Sequence, residues 1–151
     1  MDRKRIKHLD PKWIKKIEAI TYNEPIDPGT QSYNLTALLI AYSGLSLIDL
    51  GKHNVLKIHR TEKGRALVGI RVKTRMPYKI PITKDIDKVL KQLKPYRLPW
   101  EAYVDDEGNC KMNHRRIVYQ HYDRFLKNLS EKIGLDEPLK VHTLRGVFGT
   151  A

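Results

Sequence analysis

Apolar positions along this chain follow two rhythms, and the change between them divides it into three parts. In the first part the spacing is helical. Asp10-Pro11 reads as an N-cap followed by proline at the first helical position. That start predicts a short helix to about Ile20, with Trp13, Ile14 and Ile17 inward. Residues 21–30 carry two prolines and a glycine and read as a loop. From Gln31 to Tyr42, the positions Leu35, Leu38, Leu39 and Tyr42 follow i, i+3, i+4, i+7, the stripe of a core-facing helix that Ser43-Gly44 ends. Ser46 followed by Asp49 resembles a capping box with Asp in place of Glu, which predicts a brief helix over 47–52.

The period then drops to two. Val55–His59, Ala66–Lys73 and Tyr78–Ile82 read as strands, separated by turns at Thr61–Gly64 and Thr74–Pro77. Strands this close in sequence imply an antiparallel meander. If the middle strand continues far enough, alternation puts Arg71, Lys73 and Arg75 on one face. Helical spacing returns after Thr83, which caps a helix over 84–94 with Ile86, Val89, Leu90 and Leu93 apolar. A loop bounded by Pro95 and Pro99 and a turn at Asp105–Gly108 follow. Asn113 caps a long helix to Ile133 with Val118, Tyr122, Phe125, Leu129 and Ile133 on its apolar face, and Gly134 fits the position just past its end. A last helix begins near His142. Helices, a small three-stranded antiparallel sheet and helices again make a mostly helical α+β domain. Residues 1–9 form a basic N-terminal arm or linker before a domain over 10–151.

Composition narrows the partners. With 151 residues the chain fits one domain able to bury a core. Its formal net charge of +12 points to a polyanion such as nucleic acid, or to an anionic membrane surface. The longest mostly apolar run, Leu35–Leu50, is too short and too mixed to span a bilayer, and the first ten residues lack the apolar core of a secretory signal. Cys110 is the single cysteine, so an internal disulfide is excluded and a zinc site has no second thiol. A cytoplasmic setting is the expectation.

The chemistry-bearing residues concentrate at the end. His142 and Arg145 stand three apart at a helix start, so imidazole and guanidinium share a face and can address one phosphate. This box and three other segments, in this order, resemble the catalytic domain of the tyrosine recombinases, the phage integrase family. Ser43-Gly-Leu-Ser-Leu-Ile-Asp-Leu50 looks like the family's Thr-Gly-Leu-Arg-x-x-Glu-Leu motif. Arg71-Val-Lys-Thr74 before Tyr78–Ile82 looks like the hairpin that carries the family's lysine. The helix Asn113–Ile133 resembles the one preceding the second arginine, and His142-Thr-Leu-Arg145 with Phe148-Gly-Thr150 looks like the His-x-x-Arg box. The general look is that of integrases from Bacteroides-type mobile elements.

The resemblance implies DNA breaking and rejoining, that is, site-specific recombination or DNA integration. A tyrosine attacks a phosphodiester and forms a 3′-phosphotyrosyl link, which stores the energy for rejoining. Two guanidiniums stabilise the charge on the non-bridging oxygens, a lysine protonates the leaving 5′ oxygen, and a histidine assists proton transfer. On this chain the resemblance assigns those catalytic roles to Arg145, Lys73 and His142. Arg71, Arg75, His114, Arg115 and Arg116 are the expected DNA-binding residues, the last three at a helix start that favours phosphate. The implied partners are double-stranded DNA and further copies of the protein, a tetramer on DNA and a monomer in solution.

Three positions depart from the family pattern. Ser46 stands where the first arginine belongs, and a short neutral hydroxyl cannot replace a bidentate cation; Arg71 is a candidate to enter the site instead. Gly146 stands where the family often has a second histidine. The family's nucleophilic tyrosine lies well beyond the box, whereas these residues run only to Ala151, so the expectation is an incomplete domain that does not cleave DNA by itself. The competing reading is a non-catalytic basic DNA-binding module, either a degenerate integrase or an unrelated basic helical regulator. A type IB topoisomerase-like enzyme shares the chemistry.

Overall fold

The computed structural model describes residues 9–24, 27–50, 57–93 and 112–150. Among the described residues, six helices and three strands follow one another as α1 (Pro11–Asn23), α2 (Pro28–Ser43), α3 (Leu47–Leu50), β1 (Lys57–Thr61), β2 (Gly64–Ile70), β3 (Pro77–Pro81), α4 (Lys84–Leu93), α5 (Met112–Ile133) and α6 (Val141–Thr150). The α+β class and the meander read from the sequence are both present, with sheet order β1-β2-β3 and both pairings antiparallel.

Capping explains where the first helices begin. The Asp10 carboxylate accepts from Lys12 N at 3.0 Å, with Pro11 behind it. Asp27 repeats the arrangement before Pro28, accepting from both the backbone N and the hydroxyl of Thr30. Those bonds to the charged form hold the Asp27 carboxyl below its ordinary pKa. The stretch 21–30 is therefore not one loop: α1 runs on to Asn23, and α2 begins three residues before Gln31. Leu9, just before α1, is buried in the core.

α2 is the centre of the molecule. It packs on α1, α4 and α6, and its residues Leu35 through Ala41 are all buried. The four-residue stripe read from sequence is thus too narrow, because this helix is enclosed on several sides. Its buried hydroxyls are satisfied locally, Thr36 Oγ1 on Ser32 O and Ser43 Oγ on Leu39 O. The long helix α5 buries Val118, Tyr122, Leu126, Leu129 and Ile133, and Tyr122 reaches Tyr33 O at 2.8 Å. Gly134, at φ 84, closes α5 while Leu135 N donates to Ser130 O. The sheet joins the core through Leu67 and Ile80, which are paired across β2 and β3. Arg65 on β2 ties it to α4 by a 2.7 Å ion pair with Asp87.

The hairpin end differs from the strand pattern. β2 stops at Ile70, and Val72–Thr74 form a turn. Arg71, Lys73 and Arg75 therefore do not share a strand face. Arg75 N donates to Arg71 O and Arg71 N to Met76 O, which closes the turn with Arg75 at φ 60. Among the expected elements, Val55–Leu56, the end of the helix over 47–52, the Pro95–Pro99 loop and the Asp105–Gly108 turn lie outside the described residues, as does Cys110. Among the described residues, no helix is long and apolar enough to cross a membrane.

Candidate functional site

Gly44 ends α2 in the left-handed conformation at φ 72, its own N–H bonded to Ile40 O. A helix C-terminus carries a partial negative charge from its unpaired carbonyls. Two guanidiniums from distant parts of the chain gather there. Arg145 Nε, from α6, donates to Gly44 O at 2.8 Å, and Arg71 Nη1, from the β2–β3 turn, donates to the same oxygen at 3.5 Å. The α2–α6 packing sets the first approach, and the closed hairpin turn sets the second.

Asp49 organises the hairpin side of this corner. Its carboxylate, only 4% exposed, accepts from Val72 N at 2.8 Å and from Ser46 N at 3.1 Å. It also faces Arg71 Nη1 at 3.6 Å. Ser46 Oγ returns a bond from Asp49 N at 3.3 Å, so Ser46 and Asp49 form the reciprocal cap that the sequence suggested. One buried carboxylate thus caps α3, fixes the turn after β2 and holds a guanidinium charge. Tyr78 lies beneath Arg71, its ring centroid 6.0 Å from the guanidinium carbon, and burial raises its phenol pKa. Gly69 makes room for that ring, because a Cβ there would come within 2.5 Å of the Tyr78 hydroxyl.

α5 closes the other side. Tyr119 lies close to the Ser46 side chain, the Ile48 backbone and the Arg145 charge; burial is the largest influence on its phenol and raises its pKa. Arg115 and Arg116 lie one turn before it on the same helix, with His114 ahead of them. Arg116 is exposed, and His114 and Arg115 are half-buried.

The sequence-selected residues therefore divide. Arg71 and Arg145 meet. His142 is exposed one helical turn before Arg145, on the same side of α6. Lys73 and Arg75 are exposed on the turn that delivers Arg71. Three participants were missed or passed over: the Gly44 carbonyl, the Asp49 carboxylate as the hairpin's anchor, and Tyr119. For Asp49 a signal existed, since an acid three residues after Ser46 at a helix start is a cap, but its reach to Val72 depends on tertiary packing. Among the described residues, no group of three or more His, Cys, Asp or Glu side chains could hold a metal ion.

No protein-family model and no curated protein matches the sequence. Among solved structures, the fold is similar to that of the XerH site-specific recombinase bound to its difH substrate in a pre-cleavage complex. The TM-score is 0.61 at 15% identity, and the match covers 95% of this chain and 41% of that one. The chain thus spans well under half the length of that recombinase. At this identity the likeness is one of fold: a mostly helical α+β domain with a three-stranded antiparallel sheet, resembling a tyrosine recombinase catalytic domain.

Proposed function

We propose that these residues form the phosphate-holding part of a DNA strand-transfer site of the tyrosine recombinase type, acting in site-specific recombination or DNA integration. The convergence of Arg71 and Arg145 on Gly44 O carries this reading. Two planar cations held at one corner, in a basic chain with a recombinase-like fold, suit the non-bridging oxygens of a phosphodiester. Anchoring Arg145 through Nε fixes the plane of its guanidinium while its Nη groups can donate to phosphate.

In this reading Arg71 supplies the guanidinium that Ser46 cannot. His142 and Lys73 serve proton transfer, Lys73 towards the leaving oxygen. Arg75, His114, Arg115 and Arg116 hold the flanking backbone of duplex DNA. The site needs no metal or other cofactor, because guanidiniums carry the charge stabilisation. Residues 10–151 supply the phosphate-holding side of the catalytic domain, and the basic residues before them run as an arm along DNA. The protein acts in the cytoplasm on DNA of a mobile element, as a monomer in solution that self-associates on DNA.

The test is formation of a covalent adduct on nicked duplex DNA by a protein in which this domain is joined to a tyrosine-bearing segment of that family. Arg145→Ala should abolish the adduct while leaving much of the duplex binding. An undiminished adduct refutes the assignment. The neutral Ser46 favours the second reading, a domain kept for DNA binding alone. That reading requires duplex affinity with no adduct even when Arg71, Arg145 and the tyrosine are all present.

A further inference from the structure

The turn end of the β2–β3 hairpin combines two properties that seldom coexist on a solvated turn. Between Glu62 and Asp85 the sequence holds seven Lys or Arg residues and no acid. Within that basic stretch, Ile70 and Met76 are 63% and 61% exposed, the most exposed of the large hydrophobic side chains among the described residues. The β2–β3 register pairs Ile70 with Pro77, so one step further Arg71 stands opposite Met76, and Arg71 N donates to Met76 O at 2.8 Å. Residues opposite each other in an antiparallel pair project from the same face. Met76 therefore emerges beside Arg71, on the side that addresses the Gly44 corner, while Ile70 emerges on the other.

The turn is also held against its own preference. Arg75 adopts φ 60, a region that L-residues other than Asn, Asp and Gly rarely occupy. Bonds from Arg75 N to Arg71 O and from Met76 N to Thr74 Oγ1 keep it there. A strained residue retained by its surroundings fixes where the next side chain emerges, and that side chain is Met76.

We propose that Met76 is an apolar contact for duplex DNA, packing against the deoxyribose and base edge of the nucleotide joined to the phosphate held by Arg71 and Arg145. The flanking cations Arg71, Lys73, Arg75 and Lys79 choose a polyanion as the occupant. The exposed thioether chain matches the apolar part of that polyanion, its sugar and base edges. Flexible apolar side chains beside cations serve in this way where proteins enter a DNA groove. Met76 thereby sets how closely the duplex seats on the phosphate site. This inference rests on the phosphate-clamp reading above.

The experiment measures binding of these 151 residues to a short duplex DNA across a salt series, with heparin as a polyanion lacking bases. Met76→Ala should weaken duplex binding about fivefold, leave the slope of log affinity against log salt unchanged, and leave heparin binding unaltered. Met76→Leu should restore duplex affinity. Unchanged duplex affinity for Met76→Ala overturns the proposal, and so does an equal loss on heparin. Arg71→Ala and Arg145→Ala serve as the separate control, each expected to reduce the DNA salt slope by about one. If those two leave the slope intact while Met76→Ala still weakens duplex binding, the clamp reading falls and the apolar contact stands.

Discussion

Arg145 Nε donates to the carbonyl oxygen of Gly44 at 2.8 Å, joining the last helix to the end of the central one. The bond does two things at once. It satisfies a helix-terminal carbonyl with a charged donor, and it fixes the guanidinium on which the proposed phosphate site depends. Arg145→Ala should therefore cost about 1–2 kcal/mol of folding stability in addition to its effect on DNA. Arg145→Lys keeps the charge but loses the planar fork, so it should recover the salt dependence of DNA binding without recovering covalent adduct formation. Urea denaturation and a salt titration separate the two effects. Arg145→Lys with full adduct formation would show that the guanidinium plane is irrelevant.

Asp49 should be the most sensitive position of this corner. Its carboxylate serves Val72 N, Ser46 N and the Arg71 guanidinium together. Asp49→Ala leaves two backbone donors and a half-buried cation without that partner, and should destabilise by about 3 kcal/mol. Asp49→Asn preserves one acceptor oxygen and should lose less. Amide hydrogen exchange offers the local readout: protection at Val72 should fall in both variants before the α5 core opens. Unaltered exchange at Val72 in Asp49→Ala would show that the hairpin turn holds itself.

The limits of the sequence follow from the same residues. α4 and α5 were legible because each lays one apolar face on the core. α2 was legible as a helix but not as the enclosed centre, since burial on several sides leaves no contrast for a stripe to reveal. The hairpin was misjudged at its end. Arg71-Val-Lys-Thr-Arg75 alternates like a strand, and its turn places Arg rather than Gly or Asn at positive φ, so the turn expected at Thr74–Pro77 in fact begins earlier, at Val72. The separate site residues were visible as types in a familiar order. Their meeting point was not, because a backbone carbonyl has no sequence signature and Arg71 reaches it only once β2 ends where it does.

The phenols of the α1–α2–α4 junction predict an alkaline limit to stability. Tyr22 is raised from 10.0 to about 12 by burial first, then by the Glu18 and Asp85 carboxylates. Tyr42, bonded to Glu18, is raised for the same two kinds of reason. A phenol whose folded pKa exceeds its unfolded value keeps its proton in the fold after the unfolded chain has lost it. Its stabilising contribution is complete below pH 10.0 and is lost as pH rises through about 12. Melting temperature should therefore fall over that window, and Tyr22→Phe should flatten part of the fall. An equally steep decline in Tyr22→Phe would assign the effect to other groups.

Gly69 and Tyr78 should prove energetically coupled, with Arg71 as the observer. A Cβ on Gly69 would lie 2.5 Å from the Tyr78 hydroxyl and 2.7 Å from its Cζ, so the ring must move if Gly69→Ala is to fold. Tyr78 is half-buried against the core, and displacing it should cost about 1–3 kcal/mol. Shortening the ring relieves the clash. Gly69→Ala combined with Tyr78→Leu should therefore be less destabilised than the sum of the two single changes, by about 1 kcal/mol or more. The consequence for the site follows from the 6.0 Å separation of the Tyr78 ring and the Arg71 guanidinium. Gly69→Ala shifts the platform under Arg71 without touching any charge, so duplex DNA binding should weaken while Arg71 itself is intact. A double-mutant cycle on stability and one on DNA affinity check the two halves. Strict additivity in the first would mean that Tyr78 has another rotamer available at no expense, and the glycine would then have no bearing on the arginine.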